Sequence, residues 1–570
     1  MFDVVFKGGL VVDGSGAPAS VADVALQGDR IAAVGQGLRG HQEIDATGLM
    51  VTPGWVDMHT HYDGQVTWDP HLTPSGWHGV TTVVMGNCGV GFAPVRPEHR
   101  DWLINVMEGV EDIPGAALSE GIRWDWETFP EYLDALEGLH RSMDFATQLP
   151  HSALRGYVMG TSASETTDAT PDQIAEMRRL TAQAVRAGAL GVSTSRTSLH
   201  RTAEGQFVAG TFAQLEELRG LVHGLADAGA GLFELAGEHV TLDDDISWIE
   251  ELATEAGRPV VFNLSQTDFA PELWRTVLSG LEAAVARGAP VFAQCAGRAI
   301  GVLMNWQSTA HPFKLHPSWI ALEALPWPEQ LATLRDPAFK ARLLAEAPNQ
   351  VGMFEAYITQ TFDKMYVLED GQGYEPHASE SLAARAEREG VSALALAYEA
   401  LLAHDGGGFL YFPLFNYSDG GLDLLHELHS HPRTRMGLSD GGAHCASICD
   451  GGMPTFMLSF WTRDRTRGER LAVEHVVHRQ TAQTAAFYGL HDRGLLKPGY
   501  RADVNLIDYG ALSLGRPELV FDLPAGGRRL IQRAQGYVGT WVAGVQTMAQ
   551  GQPTGALPGR LIRGAQPAPS

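Results

Sequence analysis

The sequence predicts an α/β protein, a (β/α)8 TIM barrel with a small β-sheet domain built from both chain termini. Three observations carry this reading. Residues 2–50 alternate short β-branched runs with Gly and Asp turns (DVVFKGG, LVVDGSG, DVALQGD), and the same texture returns late in the chain in ADVNLIDYG, YVGTWVAGV and QTMAQGQPTG. Between these ends, apolar runs alternate with stretches of helical periodicity, as parallel βα units do. Polar residues able to do chemistry stand just past several of these runs, where the strand ends of such a barrel carry function.

Taken in order, the terminal runs 1–51 and 494–570 are expected to pair into one composite domain. The barrel is expected over 52–493. Its eight candidate strands are VTPGWVDMH, GVTTVVMGN, DFATQL, GALGVSTS, AGLFELA, RPVVFNLS, APVFAQC and TRMGLSD, with helices such as TPDQIAEMRRLTAQAVRAG between them. Two stretches, about 95–143 and 302–410, are too long for ordinary connections and are expected to form helical lids or side structures. The final PAPS reads as a loose tail.

A chain of 570 residues with 44% hydrophobic and 19% charged residues can bury a large core, and belongs to the globular class. A net charge of −26 repels phosphate backbones and anionic headgroups and argues against nucleic acid and membrane as partners; the small-molecule substrate expected here comes from the motifs below, not from the charge. Four cysteines are too few and too scattered for a disulfide framework, no 18-residue apolar run is present, and the start of the sequence lacks a signal-peptide pattern; the expectation is a cytoplasmic enzyme, with a homo-oligomer possible.

His59 and His61 in DMHTHYDG stand two apart at the end of an apolar run, so on a strand both imidazoles face one side, as a bidentate metal site needs. An isolated pair is weak evidence. Cys88 in VVMGNCGVG offers a thiolate suited to zinc, although a lone buried cysteine is usually a small hydrophobe. Asp440 in MGLSDGG follows the last strand, where a carboxylate can bind metal and take a proton from water; by itself SDGG reads as a turn.

VTPGWVDMHTHYD, GVTTVVMGNCG, GALGVSTS, MGLSDGG and HDRGLLKPGYRADVNLID follow one another in an order that resembles the amidohydrolase superfamily, and within it the D-aminoacylase (N-acyl-D-amino-acid deacylase) family. The resemblance implies a β-sandwich from both chain ends, a metal-bearing barrel, His59 and His61 as ligands, Cys88 as the bridging or metal-binding thiolate, Asp440 as catalytic acid/base, and hydrolysis of an amide C–N bond. Many superfamily members instead bridge two metals with a carboxylated lysine on the fourth strand, and the lysines here (Lys7, Lys314, Lys340, Lys364, Lys497) exclude that arrangement.

The resemblance fails at three positions. Where the family carries histidines after the fifth and sixth strands, this chain carries Glu234 and Gln266. Either a mononuclear site of His59, His61, Asp440 and Cys88 remains, or Glu234 supplies an oxygen ligand; one or two zinc ions are expected, with Glu234 favoured as participating. Asp268 replaces a family lysine that binds the substrate carboxylate, so Arg298 is a candidate to supply that charge. His151 and His444 are candidates to polarise the scissile carbonyl or bind substrate. Cyclic amides, carbamates and esters stay open as substrates, as does a non-catalytic binding barrel.

Overall fold

A computed structural model of the protein describes residues 1–369 and 373–569. The two ends of the chain share one nine-stranded sheet. Phe2–Val11 pairs antiparallel with Ser20–Gln27 and parallel with Gly40–Asp45. The join between the early and late segments is the antiparallel ladder between Met50–Pro53 and Val504–Ile507, beyond which Tyr537–Val542 and Val545–Ala549 extend the sheet. Alternation puts Phe6, Val24, Leu26, Val51, Leu506 and Trp541 into one small core, with Phe6 edge-on to Trp541 at 4.7 Å between ring centroids.

The middle of the chain is built on parallel strands: β1 (Trp55–Asp57), β2 (Val80–Met85), β3 (Asp144–Thr147, continued by Leu149–Pro150), β4 (Gly191–Ser195), β5 (Leu232–Ala236), β6 (Val260–Asn263), β7 (Val291–Cys295) and β8 (Thr434–Met436). They fall on the eight apolar runs. β1, β2 and β3 pair in that order, and the extension of β3 begins a second ladder running through β4 to β8. A parallel bridge between Thr60 and Gly441 links the ends of β1 and β8. Almost every strand residue is buried, because helices such as Pro171–Ala187, Leu215–Ala228, Leu242–Ala256 and Leu273–Ala286 cover the outer face. The first of these starts with a capping box, Thr170 accepting from the N–H of Gln173 and Gln173 returning the bond.

The two long excursions differ in build. Residues 95–143 hold three helices, Arg100–Glu111, Gly115–Gly121 and Phe129–Glu137. Residues 302–410 pack helices around stacked Trp306, Phe313 and Trp319, and contribute strands to a small antiparallel sheet of Gly301–Met304, Leu410–Pro413 and Tyr366–Val367. Trp306 is thus spent on this core. A further ribbon, Ser513–Leu523 with Gly527–Gln535, pairs only with itself and leaves the terminal sheet. It reaches towards the strand ends, where the Leu530 N–H donates to Cys445 O at 2.5 Å and Gln532 O faces Nε2 of fully buried His78 at 2.9 Å. Among the described residues, no helix is long and apolar enough to cross a membrane.

Candidate metal centre

The chain leaves β1 still extended, so His59 and His61 point one way and Thr60 the other. Thr60 binds β2 through its N–H and hydroxyl, both to Val84 O, at 3.1 and 2.8 Å. The segment after β8 locks to the same stretch, with Asp440 N–H to His59 O at 3.1 Å and His61 N–H to Gly441 O at 2.8 Å. Backbone pairing therefore brings Asp440 to the histidines. Cys88 follows β2 in the left-handed region (φ 54°), as does Asp440 (φ 49°), conformations that non-glycine residues hold only where the surroundings impose them. Next to Cys88, Gly89 (φ +71°) has no alternative: a Cβ there would stand 2.7 Å from Ser195 N.

Donor atoms of His59, His61 and Cys88 lie within 4.8 Å of one another, all buried. Cys88 Sγ is 3.3 Å from His59 Nε2, and Asp440 Oδ1 is 3.3 Å from His59 Nε2 and 3.6 Å from His61 Nε2. Bonds of about 2.0–2.3 Å to a tetrahedral zinc ion would set neighbouring donors roughly 3.3–3.7 Å apart, so this spacing suits one ion. Both ring nitrogens of His61 are buried without a hydrogen-bond partner among the described residues, a costly state that metal ligation relieves at Nε2. The outer nitrogen of His59 is fixed by Gln294 Oε1 at 2.9 Å.

Charge draws a cation to this cluster, although His61 must give up a proton to bind one. Burial pushes His59 down to about 4, which keeps it a neutral ligand. Burial also presses on His61, but the carboxylates of Glu111 and Asp440 overcome it and raise His61 to about 9. Asp440 is held below the usual carboxylate range because His61, His59 and His444 outweigh its burial. Burial, then the negative charges of Glu234 and Glu111, push the Cys88 thiol well up, so a thiolate there calls for a cation beside it.

Glu234, expected as an oxygen ligand, stands one step back: its Oε2 accepts the N–H of Cys88 at 2.9 Å, and burial raises it to about 8. His444 reaches the cluster's edge with Nε2 3.8 Å from Glu111 Oε2, and a quarter of its side chain is exposed (25%). Two of the expected site residues are held by other partners. Thr194 Oγ1 and Glu217 Oε1 each lie 2.8 Å from the ring nitrogens of His151, and Arg155 completes this buried network. Arg298 is fully buried against Asp450 at 2.8 Å, donates to Cys449 O and lies 3.6 Å above the Tyr374 ring, because an interior guanidinium needs a counter-charge.

Gln266 is spent on structure, with Nε2 on Asp419 at 2.9 Å and Oε1 on Ser418 N–H at 3.0 Å. Asp268 is neutralised by Lys364 at 2.5 Å and donated to by Tyr357 and Ser418, which removes the repulsion its sequence position implied. Sequence reasoning missed Glu111, whose Oε1 is 3.3 Å from His61 Nδ1, and buried Asp63, which the pattern HTHYD displays two residues after His61. It also passed over His200, bonded to Ser195 Oγ at 2.9 Å, and His239, packed on Phe415 at 4.5 Å, both in loops after strands.

An amidohydrolase family model matches residues 42–548. N-acyl-D-aspartate deacylase of Alcaligenes xylosoxydans xylosoxydans is 28% identical over 98% of this chain and 95% of its own length. D-aminoacylase of the same organism is 38% identical over a shorter stretch, 34% of this chain and 37% of that protein. Among solved structures, N-acyl-D-glutamate deacylase from Bordetella bronchiseptica, in complex with zinc and a phosphonate inhibitor, is 22% identical with a TM-score of 0.64 over 99% of both chains. A family match across most of the sequence, joined to a buried histidine, histidine and cysteine cluster at strand ends, leads to one conclusion: the chain belongs to the amidohydrolase family.

Proposed function

We propose that the protein is a metal-dependent amidohydrolase that cleaves the amide C–N bond of an N-acyl amino acid or a related N-acyl amide. The observation that carries this is the meeting of His59, His61 and Cys88 within 4.8 Å, with Asp440 Oδ1 3.3 Å from His59 Nε2. The eight parallel strands and the Thr60–Gly441 bridge support a closed (β/α)8 barrel with the cluster at the C-terminal ends of its strands, and the shared terminal sheet supports a composite domain of residues 1–51 and 494–570.

His59, His61, Cys88 and Asp440 would hold one zinc ion, since Gln266 is committed elsewhere. When bound, the ion supplies Lewis acidity, making water acidic near neutral pH and polarising the acyl carbonyl. Asp440, kept ionised by the surrounding histidines, accepts a proton from the attacking water and returns it to the departing nitrogen as the C–N bond breaks. Glu234 braces the Cys88 backbone. His444, partly exposed at the rim, contacts the substrate. The matched relatives include deacylases of N-acyl-D-aspartate and N-acyl-D-glutamate, which makes N-acyl-D-amino acids the first substrates to assay.

The test combines metal analysis of the purified protein with hydrolysis of N-acetyl-D- and N-acetyl-L-amino acids, their amides and simple esters. About one zinc per chain and turnover of at least one amide is the expected result. A protein that binds no metal and hydrolyses nothing after zinc addition overturns the reading.

A further inference from the structure

His59 and His61 both turn Nε2 inward, but their outer nitrogens meet different partners. His59 Nδ1 lies 2.9 Å from the neutral amide oxygen of Gln294. His61 Nδ1 lies 3.3 Å from Oε1 of Glu111, a carboxylate carried on the last residue of helix Arg100–Glu111. Glu111 is only 1% exposed, although glutamate is seldom buried without a purpose. The rest of that buried face is apolar: Leu103, Ile104, Val106, Met107 and Val110 seat the helix and fix where Glu111 projects. Gly109, two residues earlier, admits the loop of Arg201–Ala203 so closely that a Cβ would stand 2.2 Å from Thr202 C, so the helix end is pinned from outside as well.

Glu111 also reaches the opposite wall. Its backbone oxygen accepts the N–H of His444, and its Oε2 lies 3.8 Å from His444 Nε2. One residue of the 95–143 excursion thus touches a metal-binding histidine and the rim segment that follows Asp440.

We propose that Glu111 is a positioning residue of the metal centre: 3.3 Å from His61 Nδ1, it accepts a hydrogen bond from the Nδ1–H of the metal-bound ring, fixes the tautomer that presents Nε2 to the ion, and raises zinc affinity at this ligand above what the neutral Gln294 does for His59. Carboxylates behind metal-binding imidazoles orient the ring and make it a stronger donor, and their loss costs about 10–100-fold in metal affinity. The same residue anchors His444, so the excursion, which the barrel does not need for closure, has become part of the site.

This rests on the metal reading above, and the experiment separates the two. Zinc affinity is measured by chelator competition on the full-length protein, its Glu111→Gln and Glu111→Leu variants, and a Glu217→Gln control at the buried carboxylate behind His151. The expected order is full affinity for the unmodified protein and the control, a loss of about tenfold for Glu111→Gln, and up to about 100-fold for Glu111→Leu. Equal affinity in all four overturns the role of Glu111 while leaving the metal site intact; no zinc binding in the unmodified protein overturns the metal reading itself. A second measurement needs no variant. With histidine labelled with ¹⁵N, His61 of the zinc-loaded protein should show a protonated Nδ1 and a coordinated Nε2, and the opposite tautomer overturns the proposal.

Discussion

Buried histidines occupy two regions at the strand ends, and they are solved differently. At the start of the helix after β3, His151 closes both ring nitrogens, on Thr194 and Glu217, each at 2.8 Å. After β1, His61 is as buried as His151, at 1% exposure each, yet neither of its nitrogens has a hydrogen-bond partner among the described residues. An imidazole whose two nitrogens are satisfied by protein is part of the scaffold. His61 instead has only the Glu111 carboxylate 3.3 Å from Nδ1, and its Nε2 faces the cluster with nothing but other donors beside it, as a ligand does. Position beside a strand end does not distinguish them; the partners of the nitrogens do.

The contrast can be broken most sharply by Asp440→Asn and His61→Ala. The first is expected to lower kcat/KM about 10²–10⁴-fold while zinc content stays near that of the unmodified protein, because the acid/base is lost and an oxygen donor remains. The second is expected to lose the zinc and the activity together. Metal analysis beside amide-hydrolysis kinetics reads both, and full activity in Asp440→Asn would remove it from the mechanism.

A pH series sharpens the scaffold side. His78 is fully buried between Thr455 Oγ1 and Gln532 O, each at 2.9 Å, and burial pushes it down to about 4 from 6.5. Because the unfolded chain takes up this proton more readily, the contribution is intact above about pH 6.5 and declines as pH falls towards 4, by about 3 kcal/mol in all. Urea unfolding across that window should show a steeper loss for the unmodified protein than for His78→Gln. Parallel curves would mean that His78 does not stay neutral in the fold.

The smallest expected effect is at His151. His151→Leu should cost about 1–3 kcal/mol of stability by leaving Glu217 and Thr194 short of a partner, with zinc stoichiometry unchanged. Loss of zinc in that variant would erase the distinction between the two regions.

Much of the fold and half of the centre are legible in the residues themselves. The apolar runs mark β1 to β8 because parallel strands covered on both faces must be apolar throughout. His59, His61, Cys88 and Asp440 are legible because each follows such a run directly, and strand direction settles where they gather. Glu111 is not: it rides a helix far from any strand end, among Leu103, Met107 and Val110, and nothing local separates it from an ordinary amphipathic face. The partners of Arg298 and His151 are hidden for the converse reason. Each stands close to a strand end, but Asp450 and Glu217, which claim them, lie distant in sequence. The ribbon Ser513–Leu523 with Gly527–Gln535 escapes notice because Pro517 and charged residues interrupt its alternation.

The locking of Asp440 onto the His59 segment also has a consequence for the order in which the centre is made. His59 and Cys88 are 29 residues apart, whereas Ser439, beside Asp440, contacts His59 across 380. At roughly 5–20 residues per second on the ribosome, two imidazoles and a thiol precede their carboxylate by on the order of twenty seconds to a minute. The three donors are therefore made well before the carboxylate that joins them, and the centre is complete only when the last strand's segment locks onto the first.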